Sequence, residues 1–207
     1  MAYFPLFIDL NQKQGLVVGG GAVAARKIRT LLSYGPHLTV CAPSVLPELE
    51  ALPGLTLRWE PFSPALLEGA FFVIAATDDP ELNSHIARLC RERNIPVNVA
   101  DPGTESTFLF PSVVRRGPLT VGISTGGKSP SAAHYLKEQI EGLLPGNLED
   151  ILLWMDGVRE ELKGSALSQP QRSACLSRLF AAALQAGGPL SREETQSLLS
   201  FETEELP

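Results

Sequence analysis

Residues 16–18 read Leu-Val-Val, and Gly19-Gly20-Gly21 follows at once. From Ala22 onward, apolar side chains at Ala24, Ile28, Leu31 and Leu32 recur at the spacing of a helix with one buried face. The pattern predicts a strand, a tight turn and a helix. Ser33-Tyr34-Gly35-Pro36 ends the helix, and residues 38–42 form a second strand closed by Pro43, which completes a βαβ unit and implies parallel pairing. Residues 55–59 give a third strand, and the uninterrupted apolar run 71–76 reads as a strand covered on both faces. Thr77-Asp78-Asp79-Pro80 then opens a helix to about residue 93, with Asp79 as its cap and Pro80 at the first helical position. A further strand spans 95–99. The alternation predicts an α/β fold, a Rossmann-like doubly wound parallel sheet occupying residues 1–112.

The rhythm then changes. Residues 107–114 and 119–124 are two β-type runs with only Arg115-Arg116-Gly117-Pro118 between them, so an antiparallel pair is expected. The loop Thr125-Gly126-Gly127-Lys128 leads to Ser129 as a cap and Pro130 as the first residue of a helix reaching about residue 144. These parts make a small α+β unit at 113–146. Beyond Leu144-Pro145-Gly146-Asn147 the pattern is helical over 148–162, 171–186 and 191–201, giving a C-terminal helical domain at 147–207. Ser191 with Glu194 has the form of a capping box, and the tail after Phe201 is expected to fray.

Charge narrows the choice of partners. With 17 Lys+Arg against 23 Asp+Glu and a net charge of -6 in 207 residues, the chain lacks the basic surplus that holds nucleic acid. No apolar run approaches the ~18 residues of a membrane span. The opening Met-Ala-Tyr-Phe-Pro-Leu has no leading Lys or Arg and meets Asp9 early, so no export signal is expected and a cytoplasmic location is. Cys41, Cys90 and Cys175 are widely spaced and read as buried thiols rather than a disulfide or zinc framework. His37, His85 and His134 are equally scattered, and no metal site is expected.

Three stretches carry candidate chemistry. Gly19-x-Gly21-x-x-Ala24 matches the dinucleotide fingerprint, in which glycines allow a pyrophosphate to approach the backbone at a helix amino end; the plain alternative is a structural glycine turn. The acidic residue that usually holds the ribose at the end of the second strand is replaced by Ala42-Pro43-Ser44. Between Leu38 and Leu57 no Lys or Arg is available for a 2′-phosphate, so NAD is expected rather than NADP, with backbone around Pro43 and Ser44 against the ribose. Asp101 follows the strand 95–99 and stands as either a proton acceptor or a turn residue before Pro102-Gly103. The loop 125–130 offers amide groups, a helix amino end and Lys128, suited to carboxylates or phosphates; otherwise it is a capped turn.

Val17-Val18-Gly19-Gly20-Gly21-x-Val23-Ala24-x-Arg26-Lys27, Ala75-Ala76-Thr77-Asp78, Asn98-Val99-x-Asp101 and Gly126-Gly127-x-Ser129-Pro130 together resemble the siroheme synthase amino-terminal, or precorrin-2 dehydrogenase, family over about residues 1 to 145. The resemblance implies NAD-dependent oxidation of precorrin-2 to sirohydrochlorin. It assigns Gly19, Gly21, Ala22 and Val23 to the pyrophosphate turn, Pro43 and Ser44 to the ribose edge, Thr77 to the cofactor, and Asp101 to catalysis. It also implies a homodimer built through 113–146 with a cleft formed across both chains. A tetrapyrrole carrying many carboxylates would then call on Arg115, Arg116, Lys128 and the amides near Ser129. Uroporphyrinogen methylation would fall to a separate methyltransferase, since 207 residues leave no room for that domain. Two alternatives remain open. One is a bifunctional enzyme that also inserts ferrous or cobaltous ion; the other is a non-catalytic protein that binds NAD or a tetrapyrrole on the same fold.

Overall fold

The computed structural model describes residues 3–100 and 105–200. The chain divides between Phe110 and Pro111 into two compact units.

The first unit is a five-stranded parallel sheet in the order β3-β2-β1-β4-β5. Its strands are β1 (Gln14–Val18), β2 (His37–Cys41), β3 (Leu55–Arg58), β4 (Phe72–Ala75) and β5 (Val97–Val99). Helix α1 (Ala22–Leu32) links β1 to β2, a short α2 (Pro47–Glu50) precedes β3, and α3 (Pro80–Glu92) links β4 to β5. The order reverses at β1, where the chain crosses from the β2 side to β4. In open α/β sheets such a switch point opens a crevice beyond the strand carboxyl ends, where ligands bind. The expected doubly wound sheet is therefore what the residues form. The short α2 and a 3-10 turn at Pro64–Leu67 were absent from the sequence pattern, being too brief to show a helical period.

Both faces of the sheet are buried. Leu16, Val18, Val73, Ala75, Val97 and Val99 pack with Ile86, Ala87 and Cys90 of α3. Val17, Val40 and Ile74 pack with Ala24, Ala25, Ile28 and Leu31 of α1 on the other side. All four residues of β4 are buried, which is why its sequence alternates nothing.

The run 107–114 does not form one strand. Pairing as β6 begins only at Ser112, and the residues before it are spent on the open edge of β5. There Thr107 N donates to Val97 O at 2.8 Å, while Val97 N and Val99 N donate to the hydroxyls of Thr107 and Ser106 at 2.8 and 2.9 Å. Side-chain oxygens take the place of a sixth strand's carbonyls, and Phe108 and Phe110 fold onto the α1 face of the core.

The second unit contains an antiparallel hairpin, β6 (Ser112–Arg116) with β7 (Leu119–Ile123), and α4 (Pro130–Leu143), which packs on it. Helices α5 (Leu148–Lys163), α6 (Gln169–Ala186) and α7 (Arg192–Ser200) gather around Val158, Leu162, Cys175 and Leu179. The expected capping box is present: Ser191 N donates to Glu194 Oε2 at 2.8 Å and Glu194 N to Ser191 Oγ at 3.2 Å, and hydrogen bonding from the Ser191 backbone, then from its side chain, holds the Glu194 carboxyl below its usual range. Residues 201–207, where fraying is expected, lie outside the described residues. Among the described residues no helix is long and apolar enough to cross a membrane.

Candidate functional site

The carboxyl ends of β1, β2, β4 and β5 meet at one level. Gly19 N donates to Cys41 O at 3.0 Å, Ala76 N to Val18 O at 2.8 Å, and Ala100 N to Ala75 O at 2.8 Å. The three glycines that follow β1 differ in what they allow. Gly19 has φ of +116°, and a Cβ there would sit 2.1 Å from Ala76 O, so only glycine lets β1 and β4 close together at this point. At Gly20 a Cβ would meet Ser44 O at 2.3 Å, and Gly20 O accepts from Leu46 N at 2.9 Å. That pair of constraints fastens the Pro43–Ser44 loop to the glycine turn. Gly21 is otherwise: a Cβ there would meet nothing within 4 Å.

Open space at Gly21 lies at the amino end of α1. Gly21 is the N-cap, has no side chain to accept a hydrogen bond, and no acidic residue occupies the first turn. The first intrahelical bond runs from Ala25 N to Gly21 O, so the amides of Ala22, Val23 and Ala24 have no acceptor within the helix. Ala22 and Val23 are exposed beside them. Free donors, the positive end of the helix dipole and a missing Cβ together fit the pyrophosphate of a dinucleotide. Pro43 and Ser44 are exposed at the next strand end and offer no carboxylate.

Thr77 stands beside this turn, but its polar atoms are engaged. Its hydroxyl lies 2.8 Å from Asn83 Oδ1 and its amide 3.1 Å, while Asn83 Nδ2 donates to Thr77 O at 3.1 Å. Asn83 is fully buried, and Asp79 caps α3 by accepting from Glu81 N and Leu82 N at 2.9 and 3.1 Å. The β4–α3 turn is thus fixed by Asn83, a residue the sequence pattern gives no role. Its signal is a polar residue one turn into a helix that otherwise buries Ile86, Ala87 and Cys90.

Asp101 lies outside the described residues, as do Pro102 and Gly103. Three positions earlier in sequence, Asn98 is 4% exposed in the middle of β5, and its amide is shared: Nδ2 donates to Phe108 O at 2.9 Å and Oδ1 accepts from Lys27 Nζ at 2.8 Å. Lys27 Nζ also sits 4.1 Å from the centre of the Phe110 ring. Burial, with the neighbouring Arg26, lowers its pKa to about 8. Cys41 is fully buried with its thiol toward Glu60 O, and burial raises its pKa, as burial raises that of Cys90 to about 11; neither has the character of a nucleophile.

The remaining candidates belong to the second unit. Arg115 and Arg116 are successive residues of β6, opposite Thr120 and Leu119, so their side chains leave from opposite faces of the hairpin. Arg116 Nη1 approaches Pro145 O at 3.5 Å, and Arg115 is exposed. The Ser129 hydroxyl accepts from Ala132 N at 3.1 Å and so caps α4, while Thr125 Oγ1 accepts from Ser129 N at 3.1 Å. Gly126 and Gly127 have φ of +63° and +81° and face open space beside the exposed Lys128. Among the described residues no three His, Cys, Asp or Glu side chains gather to hold a metal.

Residues 6–112 match a family model described as putative NAD(P)-binding, and residues 116–143 match one described as sirohaem biosynthesis protein central. Siroheme synthase 1 of Pectobacterium atrosepticum is 40% identical over 200 residues, which cover 94% of this chain and 42% of that protein. Siroheme synthase of Tolumonas auensis is 47% identical over 149 residues, covering 72% of this chain and 32% of the other. The chain spans less than half the length of these relatives. Among solved structures, one titled SirC, precorrin-2 dehydrogenase, superposes with a TM-score of 0.74 at 24% identity, covering 98% of this chain and all of that one. That match shares the fold described above.

Proposed function

This chain belongs to the putative NAD(P)-binding family through residues 6–112, and from that premise we propose that it oxidises precorrin-2 to sirohydrochlorin with NAD. The observation that carries the reading is the uncapped amino end of α1 at Gly21, set in a chain whose relatives are named siroheme synthase. NAD, rather than its 2′-phosphorylated form, suits a second-strand loop of Ala42-Pro43-Ser44, where no cation waits for a phosphate.

Bound NAD would supply the hydride acceptor. The amides of Ala22, Val23 and Ala24 hold its pyrophosphate, the Pro43–Ser44 loop borders the ribose, and Thr77 gives the adjoining wall. Precorrin-2 loses two hydrogens: one leaves with its electron pair as hydride, and the other leaves as a proton, which Asp101 accepts and passes to solvent. Formation of the more conjugated macrocycle supplies driving force, so the chain's own task is chiefly to orient the reacting parts. Arg115, Arg116, Lys128 and the amides around Ser129 engage the substrate's carboxylates, on a protein that works as a homodimer through 113–146.

Anaerobic absorption spectroscopy of precorrin-2 with the protein and NAD tests this directly. Sirohydrochlorin and NADH should grow together, and reversing the charge of Arg116 and Lys128 should raise KM about tenfold or more. NAD binding without either product would leave a binding protein, and a protein-dependent spectral change on adding ferrous or cobaltous ion would add chelation to the activity. An unchanged KM in the charge-reversed protein would remove the carboxylate patch alone.

A further inference from the structure

Ala76 and Thr77, the first residues beyond β4, are gripped from both sides. On the β1 side, Ala76 N donates to Val18 O at 2.8 Å, and a Cβ on Gly19 would stand 2.1 Å from Ala76 O and 3.0 Å from Thr77 N. On the α3 side, the Asn83 amide takes both main-chain groups of Thr77: Oδ1 accepts from Thr77 N at 3.1 Å, and Nδ2 donates to Thr77 O at 3.1 Å. The Thr77 hydroxyl lies 2.8 Å from the same Oδ1. One fully buried side chain therefore bonds the residue beside the glycine turn as a neighbouring strand would.

Helix α3 does not need this amide in order to begin. Asp79 already caps it by accepting from Glu81 N and Leu82 N, with Pro80 in its first turn. An apolar residue at position 83 would extend the buried face of Ile86, Ala87 and Cys90, and asparagine within a helix is unfavourable unless its amide has another use. We propose that Asn83 is a positioning residue for the dinucleotide: by holding both main-chain groups of Thr77 it fixes the β4 wall of the crevice against Gly19 before the cofactor arrives. The inference rests on the reading of the previous subsection, in which Thr77 borders NAD. Without the amide, Thr77 N and Thr77 O turn to water, and the turn gains arrangements of which only a fraction suit the cofactor. Affinity falls by that fraction, while the complex, once formed, is the same.

The test compares the whole protein with Asn83→Leu, which keeps the bulk and removes the hydrogen bonds, and Asn83→Ser, whose hydroxyl is too short to meet both groups of Thr77. Asp79→Ala serves as the reference for a weakened α3, since it removes the cap and leaves the Asn83 amide in place. In both Asn83 variants the Kd for NAD by calorimetry, and the KM for NAD in precorrin-2 turnover, should rise about tenfold or more, while kcat at saturating NAD stays within about threefold. The amide of Thr77 should also exchange its hydrogen faster. Asp79→Ala should lower the urea midpoint and bind NAD within about twofold of the unaltered protein. Should Asn83→Leu fail to fold, Asn83→Ser decides alone. A Kd within about threefold of the unaltered protein in either Asn83 variant, or a loss of affinity in Asp79→Ala as large as theirs, overturns the proposal. If the unaltered protein binds NAD but makes no NADH, the dehydrogenase reading fails and the Kd comparison still judges Asn83; if it binds no NAD, both fall.

Discussion

Helices α1 and α4 each follow a strand and a glycine-rich turn, and each presents an amino end with the same backbone chemistry. They treat it in opposite ways. At α4 the Ser129 hydroxyl accepts from Ala132 N, and Thr125 secures Ser129 from behind. At α1 the cap is Gly21, with open space where a side chain would be. Lysines further along repeat the contrast: Lys137 of α4 lies 3.6 Å from Glu141, whereas Lys27 of α1 is half-buried against Asn98 and Phe110. A helix whose cap already takes a first-turn donor leaves a ligand mainly the amides and the Lys128 of the loop before it. Capping, more than glycine content, therefore separates the end proposed to receive an anion through its first-turn amides from the end whose side chain closes it.

Altering the glycine turn should have the largest effect. Gly19→Ala forces a Cβ against Ala76 O in a left-handed backbone, which should cost on the order of 3 kcal/mol and abolish NAD binding, read by chemical denaturation and calorimetry. Gly21→Ser would make α1 resemble α4. Its N-cap backbone is extended, with φ of -84°, so serine fits without strain. It should stabilise the first unit by up to about 1 kcal/mol yet weaken NAD at least about tenfold; tight NAD binding in a stabilised Gly21→Ser protein would undo the comparison. Ser129→Ala should lower stability by about 1 kcal/mol and leave NAD affinity unchanged, as measured by melting and titration.

The smallest effect concerns pH. Lys27 titrates near 8 in the folded chain against 10.5 when unperturbed, so between these values the unfolded chain holds a proton that the folded chain has released. Below pH 8 both states are charged and the full burial penalty stands; stability contributed at this site rises with pH across the window. Urea midpoints at about pH 7.5 and 9.5 should show the unaltered protein gaining on Lys27→Met, and an equal shift in both would count against a buried charge.

Periodicity revealed the first unit because its signals are local: the apolar run of β4, the Asp79–Pro80 start of α3, and a glycine turn between strand and helix. The Ser191–Glu194 box was legible for the same reason. Residues 107–111 were not, because Thr107 and Phe108 have strand propensity in sequence, and only the presence of β5's free edge diverts them. Lys27, Asn83 and Asn98 carry their meaning in partners 71, 6 and 10 residues away. Nothing along the chain marks such pairings, and a lone Asn within an apolar strand is the faint sign that could have pointed to one. The opposition of Arg115 and Arg116 across the hairpin follows from strand geometry once β6 is located, and their adjacency in sequence conceals it.

The hydroxyls lying along β5 have a consequence for assembly. A strand with unpaired amides and carbonyls at the rim of a sheet invites another chain to add on, which leads to aggregation. Here Ser106 and Thr107 occupy the donors of Val99 and Val97, so growth on that side is blocked by the protein's own loop. The opposite rim, β3, is left with Arg58 and Glu60 paired at 3.2 Å just where a newcomer would dock. Replacing Thr107 with valine would preserve shape while exposing one amide, and such a molecule would be disposed to recruit a second sheet while its glycine turn stayed intact.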